Sequence, residues 1–376
     1  MQTRMNAGFA QDRGLRGYGY DFSAPPMPSP STTPTPPPTR KARRGTGRVT
    51  LADVAKRAEV STQTVSRVLN TPQSVPPATL ARVRQAIRDC GYVPDRLAGA
   101  LASGRSRLVA ALVPTISGPV FQETLQALSQ ALAGRGYQLM LGESGYDDAD
   151  EEQLLENLLS RRPDGIVLTR IVQSAAARER LKATGVPVVE TWDLCADPVD
   201  MLIGFSHQAV GHEVAEFIAR LGRRRPAMVT GDDPRAGLRR AAFATRLAAL
   251  GLVKGQLPTA SAKAPLTLGA ARAAFAALLD DHPDIDAVFC STDVAAWGVV
   301  TEAQSRGLKI PQDLAVIGFG DLSFAKDLLP SLTTVRINGT AMGEQAAQWI
   351  MDRAEGLAPA ARRLDIGFTL VQRDST

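Results

Sequence analysis

The chain has 376 residues, 44% of them hydrophobic, which is more than one typical core and predicts two or three folding units. Its net charge of +5 is unevenly placed: residues 40–107 hold fourteen Lys and Arg against four Asp and Glu, while the chain from residue 108 onward carries a surplus of six acidic groups. A small basic module joined to a larger acidic one points to a polyanionic partner for the first and a different task for the second. Cys90, Cys195 and Cys290 show no CxxC or paired-His spacing, so neither a disulfide framework nor a zinc site is indicated, and a reducing cytoplasm fits. No apolar run is long enough to cross a bilayer, and residues 1–39 hold no signal-like segment. The expectation is a cytoplasmic protein with no membrane partner and no cofactor or metal.

Residues 1–39 are rich in Gly, Pro, Ser and Thr, so residues 1–47 read as a disordered Pro-rich tail; a later translation start, for instance at Met27, is the alternative. The cluster Arg40, Lys41, Arg43, Arg44 and Arg48 either adds attraction for phosphate or is an ordinary solvated charge run. A helix follows over 51–58, where Thr50 and Asp53 have capping-box spacing and Leu51, Val54, Ala55 and Ala58 share a face. Ser61 is a good N-cap for a second helix over 62–70, with Val65, Val68 and Leu69 inward and Thr62, Gln63, Ser66 and Arg67 outward. Gln can pair with adenine and Arg with guanine in the major groove, so this is a candidate recognition helix. A third helix over 77–89 brings Leu80, Val83 and Ile87 to close a three-helix core.

From residue 108 short apolar runs alternate with amphipathic stretches. Strands are expected at 108–113, 138–141, 165–168, 186–189, 202–205, 227–230, 287–290 and 315–318, with a helix over 120–133. Repetition of this kind over about 270 residues predicts two doubly wound lobes with a ligand cleft between them.

The runs Val49-Thr50-Leu51-Ala52-Asp53-Val54-Ala55, Val60 to Asn70 and Gly91-Tyr92-Val93-Pro94-Asp95-Arg96-Leu97-Ala98 resemble the lactose-repressor family of bacterial regulators. The fold class this resemblance implies is an all-α helix-turn-helix headpiece plus an α/β two-lobed periplasmic-binding-protein-like core. It implies a headpiece at 48–94, a hinge at 95–106 and an effector-binding, dimerising core at 107–376. The DNA contacts it implies are Thr50, Leu51, Ser61, Thr62, Gln63, Thr64, Ser66, Arg67, Asn70, Arg96, Leu97, Ala98 and Leu101. Leu101 falls where the family inserts a leucine into the minor groove, although a linker residue packed on the core is the default for such a position taken alone. Two residues depart from the family pattern: Glu59 stands where Gly is usual, and Asp95 where Asn is common.

In the core the resemblance places effector contacts at Asp193, Arg239 and Asp293. Trp192 either stacks on a sugar face or packs in the core. A guanidinium gives a fork of donors for carboxylate or hydroxyl oxygens, and carboxylates accept from sugar hydroxyls. Thr292, Ala242 and Gly318-Phe319-Gly320-Asp321 depart from the usual family residues. Leu101-Ala102-Ser103-Gly104-Arg105-Ser106 and Trp192-Asp193-Leu194 most resemble regulators of gluconate use, which implies a sugar or sugar-acid effector. The implied partners are pseudo-palindromic operator DNA, that effector and a second copy of the chain. The resemblance implies repression relieved by ligand, with corepression also physically allowed.

Two other classes fit less well. A periplasmic solute-binding protein would need an export signal and no headpiece. An enzyme on this scaffold would need a catalytic set, yet there is no Gly-rich phosphate loop or Gly-x-Ser-x-Gly elbow, and Ser206-His207 with His212 reads better as a helix start capped by Ser206.

Overall fold

The computed structural model describes residues 49–93, 105–146 and 151–376. The tail expected at 1–47 and the hinge positions Arg96, Leu97, Ala98 and Leu101 lie outside the described residues. The chain divides into two compact units, Met1–Pro94 and Asp95–Thr376.

In the first unit, α1 (Leu51–Arg57) starts on a complete capping box. The Thr50 hydroxyl accepts from the Asp53 N–H at 3.3 Å, and the Asp53 carboxylate accepts from the Thr50 N–H at 2.8 Å. Glu59 follows at φ 54°, a left-handed conformation natural to glycine, and this sharp bend lets α2 (Thr62–Asn70) begin three residues later. Ser61 caps α2 by accepting from the Thr64 N–H at 3.1 Å. The third helix, α3 (Pro77–Cys90), starts on a proline and is closed by Gly91 at φ 63°. Val54, Ala55, Val65, Val68, Val83 and Ala86 are buried between the three helices, and Leu80 and Ile87 pack partly buried against them.

The second unit holds two six-stranded sheets. The first comprises β1 (Leu108–Val113), β2 (Gln138–Glu143), β3 (Gly165–Leu168), β4 (Val188–Thr191), β5 (Met201–Gly204) and β11 (Arg363–Asp365), in the order β2-β1-β3-β4-β5-β11 with every pair parallel. The second comprises β6 (Pro226–Gly231), β7 (Thr259–Ala262), β8 (Ala287–Cys290), β9 (Ala315–Phe319), β10 (Thr333–Arg336) and β12 (Thr369–Val371). Its order is β7-β6-β8-β9-β10-β12, parallel except for β12. Both sheets therefore reverse direction of winding beside their first strand, the place where open α/β sheets hold ligands at the carboxyl ends of the strands. The chain crosses between the lobes three times, after β5, after β10 and after β11.

Residues on β1 alternate between two clusters. Val109 and Ala111 join the larger core with α4 (Gln122–Gly134), whereas Ala110 and Leu112 join a second with α5 (Glu151–Leu159) and α6 (Ala175–Thr184). Burial on both faces explains the unbroken apolar run. In the second lobe α7 (His207–Arg220) packs on α8 (Pro234–Ala249), and α9 (Leu268–Asp281) on α10 (Asp293–Ser305); α11 (Gly339–Ala354) returns to the first lobe and packs on α4. The α7–α8 contact is close enough that a Cβ on Gly211 would lie 2.4 Å from the Arg239 carbonyl. Glycine there fixes the height of the helix that carries Arg239.

Element positions differ from the sequence expectation in a few places. The strand expected at 186–189 runs from Val188 to Thr191, because Gly185 at φ 67° closes α6 and Val186-Pro187 are the link. Four strands lack a sequence signal: β7, β11 and β12 are short edge strands, none fully buried, and β10 reads Thr-Thr-Val-Arg without an apolar run.

Candidate functional site

The headpiece presents a polar face on α2. Thr62, Gln63, Arg67 and Asn70 are exposed, and Thr64 and Ser66 are half-buried. Several groups already serve the fold: the Thr50 and Ser61 hydroxyls cap helices, Asn70 donates to the Ser66 hydroxyl at 3.2 Å, and Leu51 packs on the core. Gln63 and Arg67 are exposed on the same helix.

The core holds a cleft of about 680 Å³, part of it open to solvent, at the carboxyl ends of the strands of both sheets. Phe121, from the turn before α4, and Trp192, just after β4, face it from the first lobe; His207, Arg235, Arg239 and Phe319 face it from the second. Arg239 is 4% exposed, and its guanidinium carbon stands 4.0 Å from the Phe319 ring centroid. Its Nη1 donates to His207 Nδ1 at 2.9 Å and its Nη2 to the Ser291 carbonyl at 3.2 Å, while Nε has no partner. Arg235 donates to the Thr169 carbonyl at 2.7 Å and lies over the Phe121 ring. Among the described residues, no carboxylate oxygen comes within 4.0 Å of either guanidinium. Burial pushes the Arg239 pKa down to about 10, against the partial support of Asp233 and Asp193. Burial, with Arg239 and then Arg235, holds His207 well below its usual value, so the imidazole is neutral.

Trp192 is 3% exposed, edge-on to Phe121 at 5.1 Å and to Phe205 at 5.9 Å, with a backbone φ of 71°. Its indole N–H has no partner, and an unpaired buried donor carries a desolvation cost that a bound acceptor removes. The cleft thus combines one buried and one half-buried cation, an unpaired indole donor and an aromatic wall, a set suited to an anion with hydroxyls.

Of the four effector residues expected from sequence, the structure brings Trp192 and Arg239 to the cleft and leaves Asp193 and Asp293 out of its lining. The Asp193 carboxylate turns onto its neighbour's backbone, accepting from the Leu194 N–H at 2.7 Å. Asp293 points to the end of β9 and β10 instead, accepting from Thr334 Oγ1 at 2.5 Å and from the Leu322 N–H at 2.6 Å. Gly318 leaves the room: a Cβ there would sit 2.1 Å from Asp293 Oδ1. Burial raises the Asp293 pKa to about 6, against the lowering effect of the Thr334 and Leu322 hydrogen bonds. Phe121, Tyr146, His207 and Arg235 were not found from sequence. Their common signal is position, since Phe121 follows β1, His207 follows β5, and Arg235 follows β6. Ser206 does cap α7, accepting from the Ala209 N–H at 3.1 Å, and this cap places His207 at the first helical position.

A headpiece with an exposed recognition helix and a two-lobed core with a buried polar cleft define a DNA-binding regulator that responds to a small molecule. The family of bacterial regulatory proteins of the lacI type matches residues 50–95, and the periplasmic binding protein-like domain matches residues 215–376. The HTH-type transcriptional regulator GntR of Pseudomonas aeruginosa is 36% identical over 337 residues, 89% of this chain and 98% of its own length. GntR of Escherichia coli K12 is 30% identical, over 86% of this chain and 97% of its own length. A solved LacI-family regulator from Silicibacter pomeroyi superimposes with a TM-score of 0.80 at 34% identity, covering 87% of this chain and 99% of that one. The Lac repressor dimer bound to operator and the anti-inducer ONPF shares the fold, with a TM-score of 0.74 at 23% identity. The chain belongs to the LacI family; it is a DNA-binding transcriptional regulator with an effector-binding core, and not an enzyme. Among the described residues no helix is long and apolar enough to cross a membrane.

Proposed function

We propose that this regulator is a cytoplasmic homodimeric repressor whose effector is an aldonic acid such as gluconate, held by its carboxylate at Arg239. The observation that carries this reading is the pair of cleft guanidiniums, Arg235 and Arg239, without a carboxylate within ion-pair distance, together with the unpaired Nε of Arg239. A sugar-acid carboxylate supplies the charge, and its hydroxyls meet the Trp192 indole N–H and the polar rim. The relatives named GntR support the same direction. On the DNA side, Gln63 and Arg67 read bases, Thr62, Thr64, Ser66 and Asn70 border the operator, and Leu101 enters the minor groove. The dimer places two recognition helices on a pseudo-palindromic operator, and the ligand shifts the population of lobe arrangements that grip it.

The test is fluorescence-polarisation binding to the gene's own upstream DNA at fixed salt, with and without gluconate and a panel of sugar acids. Selective binding weakened by gluconate is the expected result. Selective binding strengthened by it would reverse the sign to corepression, indifference to the panel would discard the sugar-acid effector, and no preference over random DNA would remove the operator reading.

A further inference from the structure

His207 sits where the chain enters the second lobe, two residues after the crossing at Phe205, and is 2% exposed. Its two ring nitrogens contact different lobes. Nδ1 accepts from Arg239 Nη1 at 2.9 Å in the second lobe, and Nε2 lies 2.8 Å from the carbonyl of Trp192 in the first. A guanidinium only donates and a carbonyl only accepts, so the ring must accept at Nδ1 and donate at Nε2: only the neutral Nε2–H tautomer satisfies both. Phe205 and Phe319 pack around the ring, centroids 4.6 and 6.3 Å away. The peptide that receives the Nε2 hydrogen bond is itself constrained, because Trp192 holds a left-handed φ of 71° that a bulky residue adopts only when its surroundings enforce it.

We propose that His207 is a positioning residue of the effector cleft: it ties the anion-binding guanidinium of Arg239 to the first-lobe backbone at Trp192, so that an anion on Arg239 alters how the two lobes are held. The inference rests on the reading of the cleft as an effector site. An anion drawing on Arg239 weakens or redirects its bond to Nδ1, and the other end of the ring transmits this to the strained Trp192 peptide. Arg235 bonded to the Thr169 carbonyl is a second tie between the same lobes, so the lobes stay linked while the His207 tie adjusts.

Two measurements on the full chain test this. With only three histidines in the sequence, 15N-histidine NMR assigned with His212→Gln and His282→Gln reads the His207 tautomer directly. The neutral Nε2–H form at pH 7 without ligand is expected, and an imidazolium or an Nδ1–H form overturns the proposal. In calorimetric titration with gluconate, His207→Phe should bind at least about ten-fold more weakly, and His207→Gln, whose amide offers one acceptor and one donor, should recover most of that loss. The ratio of operator affinities with and without saturating gluconate should shrink in His207→Phe. Wild-type gluconate affinity and an undiminished ratio in His207→Phe overturn the proposal. If the wild-type protein does not bind gluconate, the sugar-acid reading fails, and the tautomer still decides the positioning role. If His207→Phe does not fold, the tautomer and the His207→Gln titration decide it.

Discussion

The headpiece and the core handle polar groups in opposite ways. On the recognition helix Gln63 and Arg67 are exposed and solvated, and the small core beneath them is built from Val and Ala. In the cleft, Arg239 and His207 are almost fully buried, each polar atom except Arg239 Nε is matched to a partner, and the surrounding walls are aromatic. A surface that reads a long polyanion must keep its side chains adaptable and gains from charge at a distance. A cleft suited to one small anion must hold its donors in place before the ligand arrives, and here the two Arg239 Nη groups have fixed partners while Arg239 Nε and the Trp192 indole N–H stay unpaired.

The largest expected effect lies in the cleft. Arg239→Met keeps an apolar stem but removes the guanidinium with its charge and donors, leaving His207 Nδ1 and the Ser291 carbonyl unpaired. Gluconate affinity by calorimetry should fall at least about 100-fold, about 3 kcal/mol. Unchanged affinity would mean that the two cleft cations serve only to hold the lobes.

A comparable energy is tied to pH at Asp293, which is buried yet outside the cleft. Its folded pKa of about 6 lies above the ordinary 3.8, so the folded protein binds this proton more tightly than the unfolded chain does. The stability it confers is therefore fully present below about pH 4 and declines as the pH rises toward about 6, by about 3 kcal/mol. Denaturant melts of wild type and Asp293→Asn across this range should show the difference between the two changing with pH; a constant difference would show that Asp293 titrates normally.

The smallest effect belongs to the headpiece. Glu59 holds φ 54° on an exposed bend, so Glu59→Gly should relieve that conformation and stabilise the headpiece by about 1 kcal/mol or less. Slower hydrogen exchange at the Val54 and Val65 amides in the full chain is the readout, and faster exchange would show that the glutamate makes the bend better than glycine does.

Much of this architecture was legible because local chemistry and global fold agree. The capping pair Thr50–Asp53, the Ser61 cap and the apolar faces of α1 to α3 mark the headpiece in sequence, and buried parallel strands such as β3 and β8 appear as unbroken apolar runs. The edge strands β7, β11 and β12 were not legible, since a strand with one unpaired side and partial burial needs no apolar run. In the cleft, Arg239 was reached through the family resemblance, and Trp192 was a candidate beside it. Arg235 and His207 were not found, because what brings them to one place is the shared strand order of the two sheets, which sequence spacing does not display. Asp293 shows the converse: an acidic residue at the right strand end is drawn away by Thr334 and the space left by Gly318.

The triple crossing has a consequence for how the molecule is made. β11 adds the outermost strand to the first sheet and β12 to the second, and both come after every other strand and helix in the chain. A headpiece built from residues 51–90 has all its helices as soon as that stretch has left the ribosome, whereas neither lobe has its full complement of strands until residues 363–371 emerge. During synthesis the headpiece therefore has all its helices long before either sheet of the core has all its strands.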